Sequence, residues 1–202
     1  MKRVHAGLTL ASASALWSLL LAGPMAAQSA PARPPAPAAK SAGAGPVIVV
    51  ETVKGMFAFE TYPDDAPKTV EHVVKLVKRG FYNGLRVHRA VPNFVVQFGD
   101  PQTRDMTKRE WWGRGDAAGS GRPVGVAELS KKRLHTRGAV AMAHSGNPAL
   151  ADAQFYVALA STPRLNGKYV VFGRVIEGID VPAKLKVADV IRKVSVRASP
   201  SP

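Results

Sequence analysis

The chain contains no cysteine among its 202 residues. This absence excludes disulfide bonds, a catalytic thiol, a zinc site built on cysteine ligands and a lipid attached to an N-terminal cysteine. It is compatible with an oxidising compartment, although it does not by itself place the protein in one. Any catalytic or stabilising chemistry must come from other side chains.

Acidic residues are scarce: 14 of them face 28 lysines and arginines, which leaves a net charge of +14. Such an excess is typical of proteins that bind nucleic acid or anionic surfaces. Basic blocks at 131–133 and 184–193 support this alternative weakly. The remaining cations are scattered and no recognition motif is present, so we expect no specific nucleic-acid partner.

Long apolar runs are missing except at 6–23, which follows the basic pair Lys2 and Arg3 and precedes the small residues Ala26 and Ala27. This order is typical of a secretory signal peptide. The alternative is a retained membrane anchor, although the run is near the lower length limit for a membrane span and rich in alanine and serine. We expect removal of residues 1–27, a periplasmic or secreted protein, and no stable membrane insertion afterwards.

Residues 28–45 are mostly alanine, proline, serine and glycine, which cannot bury a core, and they predict a disordered linker. The hydrophobic share of 46% suits a single domain. We place that domain at 46–197, followed by a C-terminal tail at 198–202. We expect the protein to be a monomer.

The domain alternates between β-rich runs and turn signals. One helix is predicted after Asp64, Asp65 and Pro67, with the aspartates capping its first turn and Gly80 ending it. A turn and short helix are expected at 178–186, and residues 100–130 predict a surface excursion with little regular structure. Many antiparallel strands with few helices suggest a closed barrel, which would leave no exposed edge. The predicted strands are 47–53, 56–62, 138–143, 154–160, 169–177 and 190–196.

The most informative stretch is 87–100, which reads V-H-R-A-V-P-N-F-V-V-Q-F-G-D. Two apolar strands flank a short Pro-Asn turn, and Arg89 and Gln97 stand on them among hydrophobic neighbours. A charged side chain in apolar surroundings costs free energy unless it makes a favourable interaction, so its presence there points to a functional role. The alternative is an arginine on the polar edge of a strand.

The length of the turn decides which side chains face each other. A two-residue Pro-Asn loop would place His88 opposite Gln97, whereas a three-residue Pro-Asn-Phe loop would place Arg89 opposite Gln97. A slip of one residue moves every side chain to the other face of the sheet. We favour the longer loop, because such loops usually need one left-handed residue and Asn93 tolerates that conformation.

The stretch 87–100 resembles the cyclophilin signature F-H-R-x-x-x-x-F-x-x-Q-x-G-D. Residues 138–143, 153–156 and 165–178 resemble that family's G-x-x-x-M-A, S-Q-F-F and L-D-G-x-x-V-V-F-G-x-V-x-x-G blocks, in the same order. The resemblance covers about 47–196. It implies a closed eight-stranded antiparallel β-barrel capped by two helices, with its site on the outer wall. It also implies a peptidyl-prolyl cis–trans isomerase acting on proline-containing unfolded or nascent polypeptides.

This reaction sets modest chemical requirements. The X-Pro bond is a partial double bond with a barrier of about 20 kcal/mol, and its twisted transition state restores a lone pair on the imide nitrogen. A catalyst needs a donor for that nitrogen and an apolar slot for the ring, and it needs no nucleophile, metal or cofactor. Arg89 is the natural donor because it is always charged. Gln97 is expected to hold Arg89 and the substrate backbone.

The resemblance also implies substrate-binding positions. Ala143 and His144 would offer backbone groups to the residue before proline. Val95 and Tyr156 replace the family's usual methionine and phenylalanine and keep the slot mostly apolar. Arg164 replaces a tryptophan by a charge, which leaves substrate preference open. A binding module or chaperone that captures proline segments without turnover is the alternative function. The full set of substrate-binding positions is Phe94, Val95, Ala143, His144, Tyr156, Arg164, Leu165 and Tyr169.

Overall fold

Strands form at each place where the sequence predicts one, within two residues at either end. The computed structural model describes residues 45–115 and 119–197. The predicted signal peptide, the C-terminal tail and all of the predicted linker but its last residue lie outside these ranges. The strands are β1 (Val47–Thr52), β2 (Gly55–Thr61), β3 (Arg89–Val91), β4 (Val95–Phe98), β5 (Ala139–Met142), β6 (Phe155–Ala158), β7 (Val171–Glu177) and β8 (Ile191–Val196).

The eight strands form one antiparallel sheet in the order β3-β4-β6-β5-β7-β2-β1-β8. The mainly β class is therefore confirmed, but the predicted closure is wrong, because β3 and β8 are edge strands that do not pair. The chain segments that precede them are joined by an isolated bridge between Arg86 and Val190 and by neighbouring backbone hydrogen bonds, such as that from the Val87 N–H to the Asp189 carbonyl at 2.9 Å. β3 has three residues, and Ala188 bends the chain before β8 with a φ of 77°. Because the two edge strands do not pair, the sheet is an open, curled half-barrel.

The inner face of the sheet holds the main core. Three phenylalanines and one tyrosine meet edge to face around Phe155, whose ring centroid lies 4.6 Å from that of Phe98 and 5.9 Å from that of Phe59. The helix α1 (Pro67–Lys78) covers this core with a buried stripe that includes Val70 and Val73. The second helix, α2 (Val181–Lys184), is a single turn. No helix in these two ranges combines the length and apolar character that crossing a bilayer requires.

The start of α1 differs from the sequence prediction. Ala66 is the N-cap, and neither aspartate before it caps the helix. Asp65 instead pairs with Arg133, whose Nε lies 2.7 Å from its carboxylate. The free backbone N–H groups of the first turn, those of Lys68 and Thr69, donate to the Glu128 carboxylate at 2.9 and 2.8 Å. A residue about sixty positions away thus performs the capping that local sequence assigned to the aspartates.

The excursion at 100–130 contains more structure than expected, because it includes the 3-10 helices Pro101–Arg104 and Met106–Trp111. The buried Asp100 carboxylate accepts hydrogen bonds from the backbone N–H groups of Gln102 and Gly113. These bonds hold the excursion together internally, and Glu128, near its far end, fastens it to the domain through α1.

Replacing Glu128 tests this long-range cap. Glu128→Ala leaves two helix N–H groups without their charged acceptor, so we expect the free energy of unfolding to fall by about 1–2 kcal/mol. Urea denaturation followed by circular dichroism measures the change. Glu110→Ala removes the same charge from an exposed position in the excursion and should cost less than about 0.5 kcal/mol. Equal losses in the two variants would contradict the capping role.

Candidate active site

The β3–β4 hairpin has the three-residue loop that the sequence predicts. Val91 pairs with Val95, and Arg89 lies directly opposite Gln97. Asn93 takes the left-handed conformation, with a φ of 57°. The competing register, with His88 opposite Gln97, is therefore excluded. The two polar side chains singled out from the sequence stand on one face of neighbouring strands.

Along three strands, successive side chains point to opposite faces of the sheet. Those on the outer face form a second, smaller apolar cluster. On β6, Phe155 and Val157 belong to the main core, while Tyr156 and Ala158 belong to this outer cluster. β4 contributes Val95 to it in the same way. Such alternation follows from the period of two in strand side chains. The outer wall therefore carries an apolar floor, as the site requires.

A depression of about 130 Å³ opens on that floor. Nine of the ten predicted site residues line it, and the tenth, Arg164, lies on its rim. The Arg164 Cζ is 4.5 Å from the ring centroid of Phe94. The structure thus brings the predicted residues together, while their individual roles stay predictions. The lining residues are Arg89, Phe94, Val95, Gln97, Ala143, His144, Tyr156, Leu165 and Tyr169.

Arg89 is exposed, and its guanidinium Cζ lies 5.4 Å from the centroid of the Phe94 ring. Such a contact holds a cation over an aromatic face without consuming its N–H groups. Within 45–115 and 119–197, Arg89 has no carboxylate partner. Its donors are therefore available to a group that enters the slot.

Gln97 is held by a residue that the sequence did not single out. Its Nε2 donates to the Gln154 Oε1 at 3.0 Å, and the structure shows no hydrogen bond from Gln97 to Arg89. The expectation that Gln97 holds Arg89 directly is thus not met in this structure. The side-chain Oε1 of Gln97 is left to accept from Arg89 or from a substrate. Gln97 lies opposite Tyr156 in the pairing of β4 with β6. That pairing, had it been predictable from the sequence, would have indicated Gln154, which precedes Tyr156 by two residues.

A buried network stands behind the slot. The Asn166 Oδ1 accepts from the His135 backbone N–H at 2.8 Å and lies 3.1 Å from its Nδ1. An oxygen acceptor there fixes the proton on Nδ1, so Nε2 must accept the Tyr156 hydroxyl at 2.9 Å. Burial lowers the pKa of His135 and raises that of Tyr156, so both stay neutral near pH 7. His135 therefore supports the slot from behind rather than entering it.

The side of the slot formed by residues 143 and 144 is also fixed. The Ala143 N–H already donates to the Gln154 carbonyl at 2.9 Å, so its own carbonyl is the group it can offer to a substrate. The His144 ring packs against Tyr169 with centroids 4.4 Å apart, and its Nε2 donates to the Lys168 carbonyl at 2.9 Å. These contacts hold the Tyr169 ring in place.

Comparisons with known proteins identify the family of the chain. The family model described as "Cyclophilin type peptidyl-prolyl cis-trans isomerase/CLD" matches residues 47–200. A probable peptidyl-prolyl cis-trans isomerase of Brucella abortus is 40% identical over 139 residues, covering 69% of this chain and 70% of the relative. A peptidyl-prolyl cis-trans isomerase of Helicobacter pylori is 35% identical over 152 residues, covering 74% of this chain and 86% of the relative.

A solved structure supports the fold. A cyclophilin type peptidyl-prolyl cis-trans isomerase of Cryptosporidium parvum superposes with a TM-score of 0.65 at 24% identity, covering 77% of this chain and 99% of that one. The chain belongs to the family of cyclophilin-type peptidyl-prolyl cis-trans isomerases.

The network behind the slot predicts a stability effect of one hydroxyl group. Tyr156→Phe leaves the buried His135 Nε2 without its donor, so we expect the free energy of unfolding to fall by about 1–3 kcal/mol. Tyr169→Phe is the matched control, because the Tyr169 hydroxyl has no hydrogen-bond partner among the described residues. It should cost less than about 0.5 kcal/mol. Chemical denaturation of both variants measures the difference, and equal effects would refute the network.

His88, the residue just before β3, predicts a pH dependence of stability. Burial lowers its pKa from 6.5 to about 4, although the nearby Asp100 carboxylate opposes the shift. The unfolded chain therefore binds a proton below about pH 6.5 that the folded chain binds only near pH 4, and stability falls across that window. His88→Gln removes this contribution. Between pH 7 and pH 4 we expect the wild type to lose about 1–3 kcal/mol more than the variant in parallel denaturation curves. Identical pH profiles would contradict the lowered pKa.

Proposed function

We propose that this chain accelerates cis–trans exchange of X-Pro bonds through donation from Arg89 to the imide nitrogen of a proline held in the outer slot. The observation that carries the proposal is the exposed Arg89 guanidinium, which stands beside Phe94 and has no carboxylate partner among the described residues. The proposed substrates are proline-containing unfolded or nascent polypeptides. An open depression on the outer face suits an extended chain better than an enclosed cavity would.

The chemistry follows from the transition state. In the planar ground state the imide nitrogen shares its electron pair with the carbonyl group and accepts a hydrogen bond poorly. In the twisted state that pair returns to the nitrogen, so a fixed N–H donor binds the twisted state more strongly and lowers the barrier. No nucleophile, metal or cofactor enters this step.

The size of the rate acceleration determines how much transition-state stabilisation the rest of the site must supply. An acceleration of about 10⁴-fold corresponds to about 5.5 kcal/mol. One preorganised donor typically supplies about 3–4 kcal/mol, so Arg89 would provide much of the effect. The remainder is assigned to positioning by the ring of Phe94, the buried floor of Val95 and Tyr156, and the Gln97 amide. The contact between Gln97 and Gln154 supports this role because it fixes the amide before substrate arrives.

We also propose that the protein works outside the cytoplasm. The basic start, the apolar run at 6–23 and the small residues after it support this location. Cleavage of the segment would remove two basic residues and no acidic one, which leaves a strongly basic mature domain. Its clients would be proline-containing chains that fold after export.

Replacing Arg89 tests the mechanism. Arg89→Ala should fold normally, because the side chain is exposed, and should lower kcat/KM by about 10²–10³-fold on an Ala-Pro peptide in a protease-coupled assay. Arg192→Ala, an exposed arginine on β8, controls for the change in net charge and should keep wild-type activity. Wild-type activity in Arg89→Ala would overturn the mechanism. A wild-type protein that binds the peptide without turnover would be the binding module considered from the sequence.

A further inference from the structure

Two arginines converge on one aromatic ring at the mouth of the slot. The Cζ of Arg164 lies 4.5 Å and that of Arg89 5.4 Å from the centroid of Phe94. Arg164 is exposed and lies in the 3-10 helix Pro163–Leu165, whose last residue is a wall of the slot. The next residue, Asn166, is fixed by its bonds to His135. The backbone that carries the Arg164 charge is therefore anchored beside the slot.

Three arginines elsewhere in the domain are neutralised by carboxylates, whereas this pair is not neutralised by any residue that the structure describes. Arg133, Arg137 and Arg197 each bind a carboxylate of the same chain, at 2.6 or 2.7 Å. Within the part of the chain that the structure describes, neither Arg89 nor Arg164 has such a partner. Two like charges on one ring raise the positive potential at the slot, and nothing described within the domain compensates it.

We propose that Arg164, together with Arg89, forms a subsite for the carboxylate of an aspartate or glutamate next to the substrate proline. The proposal rests on the proposed function, because it takes the slot to hold the proline ring. A carboxylate there would relieve the repulsion between the two guanidiniums and could pair with the planar Arg164 fork in a bidentate contact. The preferred substrate class is therefore acidic X-Pro segments, and a lysine at the same position would be disfavoured.

The size of the preference follows from the exposure of the site. Exposed ion pairs are individually weak and screened by salt, so two cations acting on one carboxylate should give about a 5–10-fold preference at low ionic strength. The preference should fall toward unity in about 0.5 M salt, where the screening length is only a few ångström. A preference based on shape rather than charge would not respond to salt in this way.

The test uses matched peptides that differ only in one residue flanking the proline, which is glutamate, glutamine or lysine, placed before the proline in one set and after it in the other. Exchange between the isomers is measured by NMR, which avoids the sequence preference of a coupling protease. The wild type should turn over the glutamate peptide of at least one set about 5–10-fold faster than the glutamine peptide, and the lysine peptide most slowly. Turnover of the glutamine peptide reports the proposed function by itself.

Variants assign the preference to Arg164. The ratio of glutamate to glutamine turnover is taken within each variant, so a general loss of activity cancels. Arg164→Gln leaves Arg89 as the remaining cation and should lower the ratio to about 2–3. Arg164→Glu places an anion beside Arg89 and should bring the ratio to one or below, whereas Arg164→Lys should keep most of it. Arg192→Glu makes the same charge change on β8 and should keep the wild-type ratio.

Three results would overturn the subsite. The first is a ratio of glutamate to glutamine turnover near one in a wild type that turns over the glutamine peptide. The second is a glutamate preference that survives in Arg164→Glu. The third is a loss of preference in Arg192→Glu equal to that in Arg164→Glu. No turnover of any peptide would instead overturn the proposed function.

Discussion

The register of the β3–β4 hairpin is the constraint on which the candidate site depends. Asn93 takes a φ of 57° and makes the loop three residues long, which sets Arg89 opposite Gln97. The pairing of β4 with β6 then carries the same alternation to Tyr156. A shift of one residue would turn Arg89 away from the slot and bring apolar core residues to the surface. One backbone conformation therefore links the packing of the core to the composition of the outer wall.

Rigidity behind the slot is the second requirement, because a donor lowers a barrier only when it is already in place. The His135 ring joins Asn166, next to one wall of the slot, to Tyr156 in its floor. Gln154, the residue just before β6, holds Gln97 on the adjoining strand β4. These contacts come from different parts of the chain, so the slot is shaped by the whole domain.

Local patterns predicted much of this protein. The strands, the helix α1, the hairpin register and nine residues of the slot follow from periodicity, turn chemistry and resemblance, all of which are readable within short stretches. The errors concern contacts between distant residues. Glu128 caps α1 in place of the nearby aspartates. The Gln97 amide donates a hydrogen bond to Gln154 instead of holding Arg89. The closed barrel was wrong because closure depends on pairing between the two edge strands, β3 and β8, which lie far apart in the sequence and do not pair.

The most direct test of the central claim separates charge from geometry at Arg89. Arg89→Lys keeps the positive charge but replaces the planar fork with a flexible ammonium group. NMR exchange on an Ala-Pro peptide yields both its affinity and the rate of isomer exchange on the protein. If a fixed donor stabilises the twisted imide, the variant should bind the peptide within a few-fold of the wild type but exchange it at least about tenfold more slowly. Equal exchange rates at equal affinity would contradict the account.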